Sequence, residues 1–410
     1  MNRSDPKMDP LLYNIAVAIG SVLILPTLAG SLELLLLTFG AILPRGRKAF
    51  DGDTPDLRLA IVVPSHNEEA SIGACVRSLD DARQGDERVQ IVVVADNCED
   101  ATAQVAKDAG ARVLERNNLE ERGKGHALAW AFDQLLEEEH DAFVVVDADS
   151  EVDANFYREI QYEFANGADA LQCRYLVSNP GDSLRTRLMN VALMAFNVLR
   201  PLGRHRLGLS AGIYGNGFAL SRKTISEVPY AAHSVVEDLE YHLHLLRAGK
   251  RVRFVNTTTV RGEMPNNSDT ASSQRARWEG GRFLMIREHA PKLLSQVLRG
   301  KLRYVEPLLD LVLLPLAYHV AVISLAAIAP DPIRTIALAS IGIVAFHVLV
   351  AVRVGGGGLK ELMVLASAPF YIVWKLSIAR HIAKTSKRDA GWVRTTRNQE
   401  REENRELIDA

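Results

Sequence analysis

The sequence predicts an α/β domain, a mostly parallel sheet with helices on both faces, held between membrane helices at the two ends of the chain. Three observations carry this. From residue 57 to residue 147, short β-branched runs alternate with helical segments, the pattern of βαβ units around a parallel sheet. The run from Leu11 to Leu43 is apolar apart from Glu33, and more apolar runs follow residue 304. A helix needs about 20 such residues to cross a bilayer. Between these ends, residues 55 to 300 are rich in charge.

The chain has 410 residues, room for two or three domains, and a net charge of −2. It lacks the basic character that would point to nucleic acid. Cys75, Cys98 and Cys173 are scattered without metal spacing, as suits a reduced cytosolic domain.

Leu11 to Leu43 exceeds the length of one span. It is expected as a single long tilted helix, bent near Pro26, with a re-entrant pair of short helices as the alternative. It is too long for a cleavable signal peptide and lacks a small-residue cleavage site. Arg45, Arg47 and Lys48 follow it, and the positive-inside bias puts that end in the cytosol. The expectation is an integral protein of a plasma or bacterial inner membrane, with its α/β domain cytosolic.

In that domain Leu57 to Pro64 reads as a first buried strand, Ala70 to Leu79 as a helix, and Val89 to Ala95 as a second strand. Glu99 to Ala109 reads as a helix and Arg112 to Leu114 as a third strand. Gly123 opens a helix running to about Glu138. Phe143 to Val146 is a fourth strand, buried on both faces, with Asp147 and Asp149 just beyond it. Ligands of open α/β sheets bind past the carboxyl ends of the strands. Polar residues stand at each such end here: Asn67 and Glu68, Asp96, then Asp147 and Asp149. Two clustered carboxylates suit a hard cation such as Mg²⁺ or Mn²⁺, which leaves positions for substrate phosphates. A dinucleotide-binding domain is excluded, because Pro64-Ser-His-Asn-Glu-Glu stands where G-x-G-x-x-G is needed.

Three motifs in order give the domain a resemblance. Asp147-Ala-Asp149 matches a D-x-D. Val235-Val-Glu-Asp238 supplies an acidic pair about ninety residues on, and Gln274-Arg-Ala-Arg-Trp278 matches Q-x-x-R-W. From about Leu57 to Arg282 the chain resembles a GT-A nucleotide-diphospho-sugar transferase of glycosyltransferase family 2. It is closest in motif to the membrane-bound synthases of cellulose, chitin, hyaluronan and poly-N-acetylglucosamine.

That resemblance implies roles. Asn67, Glu68 and Asp96 would hold the nucleoside and Lys124 would face the diphosphate. Asp147 would contact nucleotide or metal, and Asp149 would coordinate the Mg²⁺ or Mn²⁺. Asp238 would be the general base. Gln274, Arg277 and Trp278 would border the pyrophosphate and acceptor cleft. Between the motifs, Arg185 to Leu199 reads as an amphipathic helix. The small residues Gly215 to Gly217 permit close backbone approach, and in the resembling synthases this region floors the acceptor site.

Toward the carboxy terminus, Phe283 to Tyr304 reads as a basic amphipathic helix along the membrane face. Val305 to Ala329 is long enough to span despite Glu306 and Asp310. Pro330-Asp-Pro turns, and Ile336 to Val352 returns. Residues 360 to 379 are interrupted by Pro369 and Lys375 and are expected to be interfacial or re-entrant, a third membrane helix being the alternative. The basic tail from Arg380 to Arg397 is expected in the cytosol. His319 is expected as a satisfied structural histidine.

The domain boundaries that follow are 1–48 for the first membrane helix, 55–282 for the catalytic domain and 283–304 for the interfacial helix. Two membrane helices take 305–352 and the tail takes 380–410. The function expected is inverting transfer of a sugar from a nucleoside diphosphate, with UDP-sugars foremost. The acceptor is a lipid-linked or polymeric glycan presented by the bilayer, in exopolysaccharide or glycolipid synthesis. A processive synthase that extrudes its polymer is one alternative, and a non-catalytic subunit of an export assembly is another. The sugar, the linkage and the oligomeric state stay open.

Overall fold

The computed structural model describes residues 9–44, 49–265 and 268–377. The cationic cluster Arg45, Arg47 and Lys48, residues 378 and 379, and the basic tail lie outside the described residues.

The β-branched runs form one eight-stranded sheet. Its strands are β1 (Leu59–Ser65), β2 (Val89–Asp96), β3 (Arg112–Arg116), β4 (Ala142–Val145), β5 (Ser150–Val152), β6 (Ala170–Val177), β7 (Phe218–Ser221) and β8 (Val252–Gly262). Their order is β3-β2-β1-β4-β7-β6-β8-β5. β1 pairs in parallel with β2 and β4, β2 with β3, and β6 with β8. β7 is antiparallel to β4 and β6, and β5 is antiparallel to β8. The sheet is therefore mixed and mostly parallel.

Side chains alternate between two apolar layers, as a strand's period of two requires. Leu59, Ile61 and Val63 pack with Ile72, Val76 and Leu79 of the helix Glu69–Arg83. Ala60 and Val62 pack with Leu128, Phe132 and Leu135 of the helix Lys124–Leu135. Burial on both faces explains why these strands lack polar alternation. Register sets the site: Ser65 stands opposite Ala95, and Val62 opposite Val145. The carboxyl ends of β1, β2 and β4 thus share one rim.

The amino-terminal apolar run is one helix, Pro10–Ile42, of 33 residues with Pro26 inside it. Asp9 caps it by accepting from the N–H groups of Leu11 and Leu12, and Pro10 fills the first position, where a missing N–H costs nothing. Its length, about 50 Å at 1.5 Å per residue, exceeds the roughly 30 Å of a bilayer core. Ile333–Gly355 is a second helix long and apolar enough to cross a membrane.

Val305 to Ala329, expected to be long enough to span, is not one continuous helix. It forms two helices, Val305–Val312 and Leu316–Ala326, bent by 81°. Pro315 at the break has no N–H to donate and biases Leu314 away from helix. Counted as one broken span, the pair brings the total to three. Its acids are met by cations. Asp310 accepts from Arg204 at 2.6 Å and also from Arg200, and Glu306 accepts from Arg204. Glu33, the one acid of the amino-terminal run, is buried and lies 3.2 Å from Arg204. The two arginines come from one continuous helical stretch: Leu184–Leu193, a π-helical segment Met194–Leu199, and Arg200–Arg206. It runs a full two turns beyond the helix expected to end at Leu199.

The interfacial helix expected from Phe283 is the second half of one helix, Ser268–Leu298. The boundary drawn at residue 282 falls inside it. The segment after residue 358 forms Leu359–Val364, a 3₁₀ turn at Leu365–Ser367, and Ala368–Ser377. His319 is buried, with Ser31 Oγ 3.0 Å from its Nε2.

Candidate active site

Two asparagines shape the rim. Asn67 and Asn97 adopt positive φ, 54° and 51°, a conformation Asn tolerates better than most residues. Asn67 Oδ1 then accepts from the Glu99 N–H at 2.8 Å, closing the turn after β1 onto the turn after β2. Glu68 is buried; its N–H donates to Thr102 Oγ1 at 2.7 Å, and Oε2 accepts from Ser71. Asp96 is buried beside Arg116, whose NH1 donates to Oδ1 at 2.7 Å. Asn97 Nδ2 donates to the same oxygen at 3.1 Å.

The D-x-D is held from the opposite side. Lys124 donates to Asp147 Oδ1 and, at 2.6 Å, to the carbonyl of Gly215. Asn216 Oδ1 accepts the Asp147 N–H at 3.1 Å, while its Nδ2 donates to Ser150 Oγ at 2.8 Å. Gln172 fixes that loop in turn, donating to the Asn216 carbonyl at 2.7 Å and accepting from the Tyr214 N–H at 2.9 Å. Burial works against the Lys124 ammonium, but Asp147, Glu237 and Asp238 outweigh it and hold its pKa above the usual lysine value.

Lys124 is placed by Gly125. A Cβ on Gly125 would lie 2.1 Å from the Ala232 carbonyl oxygen, so only glycine lets this helix start against the segment leading to Glu237. His126 and His233 stack across the same junction at 4.0 Å. Glu237 and Asp238 then open the helix Glu237–Arg247. Asp238 Oδ1 accepts the Leu239 N–H at 2.7 Å. Its Oδ2 lies 3.3 Å from where a Gly215 Cβ would stand, so Asp238 faces the Lys124–Asp147 pair. Burial raises both carboxyls. Glu237, opposed by Lys124 but pushed further by Asp238, is raised to about 7, and Asp238 is raised above the usual aspartate value.

Gln274, Arg277 and Trp278 lie on the helix Ser268–Leu298. Gln274 is buried and Trp278 packs on the central apolar layer. All ten residues singled out from the sequence, Asn67, Glu68, Asp96, Lys124, Asp147, Asp149, Asp238, Gln274, Arg277 and Trp278, line one cavity of about 1840 Å³. Sequence reasoning missed Asn97, Arg116, Gly125, Gln172 and Asn216. Asn216 stood between two glycines and was read only for their small size.

The sequence profile described as glycosyltransferase like family 2 matches residues 55–281. The chain belongs to this family.

This family-2 glycosyltransferase is 25% identical over 238 residues to the probable glycosyltransferase YdaM of Bacillus subtilis, covering 56% of each protein. It is 26% identical over 235 residues to the beta-monoglucosyldiacylglycerol synthase of Synechocystis, covering 55% of this chain and 48% of that one. The chain thus spans about half the length of these curated relatives. Its GT-A fold is similar to that of the mannosyltransferase PcManGT from Pyrobaculum calidifontis, solved with GDP-Man and Mn²⁺. The TM-score is 0.51 at 16% identity, over 92% of this chain and 95% of that one.

The donor set of the glycosyltransferase fits a hard divalent cation. Asp147 and Asp149 bring two carboxylates to one strand end in the cleft. Mg²⁺ is usually bound by one or two carboxylates plus substrate phosphates rather than by an all-protein cage. Among the described residues no group of three or more His, Cys, Asp or Glu forms such a cage.

Proposed function

We propose that this glycosyltransferase moves a sugar, with inversion, from a nucleoside diphosphate to an acceptor presented by the membrane, UDP-sugars being the first donors to test. One observation carries the proposal: the cavity that holds the D-x-D and Asp238 continues without a break to Leu316, Val320, Val348 and Ile372 of the apolar helices. A water-soluble acceptor has no use for such an end. A relative named as a glucosyldiacylglycerol synthase agrees with a lipid acceptor.

In this reading Asn67, Glu68 and Asp96 receive the nucleoside. Asp147 and Asp149 would hold a divalent cation, which when bound would supply positive charge against the diphosphate. Lys124 fixes Asp147 and adds its own positive charge near those phosphates. Arg277 suits phosphate oxygens, which a guanidinium binds in a fork. Gln274 and Trp278 border the acceptor, and the Trp278 ring offers a face for a sugar to stack on. Asp238 takes the proton from the acceptor hydroxyl as its oxygen bonds to the anomeric carbon. The bond from that carbon to the diphosphate breaks, and the nucleoside diphosphate leaves. General base assistance of this kind contributes about 10²–10⁴-fold. The Gln274-to-Trp278 motif favours a second reading, processive polymer synthesis, in which a growing glycan occupies the acceptor end.

The test is to incubate the purified full chain and native lipid extract with a panel of nucleotide sugars and Mn²⁺ or Mg²⁺. Released nucleotide and product mass are read. One sugar added to a lipid-borne product supports the first reading, a ladder of masses supports the second, and no nucleotide release with any donor contradicts both.

A further inference from the structure

The membrane end of the cleft carries charge that the transfer chemistry leaves unused. Arg275 sits within Gln274-to-Trp278 without being one of its signature residues. Its guanidinium lies 5.6 Å over the Trp278 ring, one NH₂ is directed at the Met189 sulfur, and its Nε is buried without a hydrogen-bond partner. From the helix Ala368–Ser377, Lys375 reaches into the same cavity and is 4% exposed. Its Nζ is 2.5 Å from Glu279 and 4.9 Å from the Tyr318 ring, near enough to Arg275 for the two charges to act on each other. A third cation, Arg185, lies 4.9 Å over Trp374 of that helix, with one NH₂ buried and unpartnered. Glu279 balances one of the three.

Lys375 is buried and the two arginines are half-buried, and a cation drawn away from water is costly unless an anion meets it. Apolar side chains continue from this point along the cavity, Tyr371 and Ile372 among them. The ligand that matches is therefore an anionic group carried on an apolar chain. Phosphate is the anion a guanidinium holds best, through two parallel bonds. We propose that Arg275, backed by Lys375, binds the phosphate of an anionic lipid at the membrane end of the cleft. The inference rests on the donor-to-membrane reading above and names the lipid chemistry that meets its membrane end.

The experiment uses the full chain in nanodiscs of neutral phosphatidylcholine, titrated separately with farnesyl phosphate, farnesol and phosphatidylglycerol. Binding of UDP with Mn²⁺ is measured on each sample. Farnesyl phosphate should bind at least about tenfold more tightly than farnesol, since a charged hydrogen bond is worth about 1.5–3 kcal/mol. Arg275→Gln should weaken it about 10- to 100-fold, Arg275→Lys should recover part of the loss, and UDP binding should not change in either variant. Phosphatidylglycerol binding as well as farnesyl phosphate supports the proposal with a phospholipid source; farnesyl phosphate alone supports it with an isoprenoid source. Farnesol binding as tightly as farnesyl phosphate, or Arg275→Gln binding like the parent, overturns it. A parent chain that binds the lipid phosphate but not UDP would overturn the donor reading instead.

Discussion

Lys124 donates to Asp147 across the junction between the start of one helix and the end of β4, and the same ammonium reaches the Gly215 carbonyl at 2.6 Å. One cation thus ties the D-x-D to the glycine loop that faces Asp238. Lys124→Met should lower transfer by about 10²-fold, the scale of losing one preorganised electrostatic group. Steady-state kinetics with the best donor checks it, and parent-like kcat/KM would show that the bridge is dispensable.

Asp149→Ala should abolish metal-dependent donor binding while leaving the fold intact. Asp149 faces the cleft and belongs to neither apolar layer. Calorimetry with UDP and Mn²⁺ reads the effect, and unchanged affinity would sink the metal assignment.

Gly215 adopts φ +76°, and a Cβ there would press to 3.3 Å from Asp238 Oδ2 and 3.7 Å from Lys124 Nζ. Gly215→Ala combines backbone strain of about 1–3 kcal/mol with crowding of the Asp238 carboxylate. Transfer should fall at least about tenfold. The apparent melting temperature should change little if the strain is confined to the loop. Full activity in the variant would show that the loop does not set the geometry.

The Glu237–Asp238 pair gives the reaction a pH signature. Both carboxyls are raised by burial, Glu237 to about 7. A base must be deprotonated, so transfer should be high at alkaline pH and fall as pH drops through the pKa of Asp238, which burial raises above that of an ordinary aspartate. Glu237→Gln removes a like charge and should move this acid limb to lower pH. Asp238→Asn should lose transfer at every pH while still binding donor. An acid limb unmoved in Glu237→Gln would show that the two carboxyls do not share the proton.

Arg204 stands among Glu33, Glu306 and Asp310, joining the long apolar amino-terminal helix to the bent pair. Removing one partner of a buried ion network costs about 3–5 kcal/mol, because the remaining charges stay buried. Arg204→Ala should lower the melting temperature in detergent by several degrees. A parent-like melt would mean that the cluster is not a structural joint.

The parallel half of the sheet was legible because β1, β2 and β4 are buried on both faces and so read as unbroken apolar runs. The site's carboxylates were legible because they interrupt those runs at strand ends. β5 to β8 were not, since three of their pairings are antiparallel and join segments up to about a hundred residues apart. No local pattern encodes that distance. Asn216 and Gln172 act through backbone groups of a loop that only tertiary packing brings to Asp147. The bend within Val305 to Ala329 was not legible, because a hydropathy count does not register Pro315. It also took Glu306 and Asp310 as tolerated charges, when Arg200 and Arg204, about a hundred residues earlier, hold them.

The most direct test is to follow a labelled sugar. The parent chain and Asp238→Asn are placed in lipid nanodiscs with native lipid extract, Mn²⁺ and the sugar-labelled donor, and the label is partitioned between water and organic solvent. Transfer to a membrane-borne acceptor predicts label in the organic phase with the parent and none with Asp238→Asn, although both bind UDP. Label that stays in the aqueous phase as free sugar, or that reaches the organic phase equally with Asp238→Asn, would contradict the account.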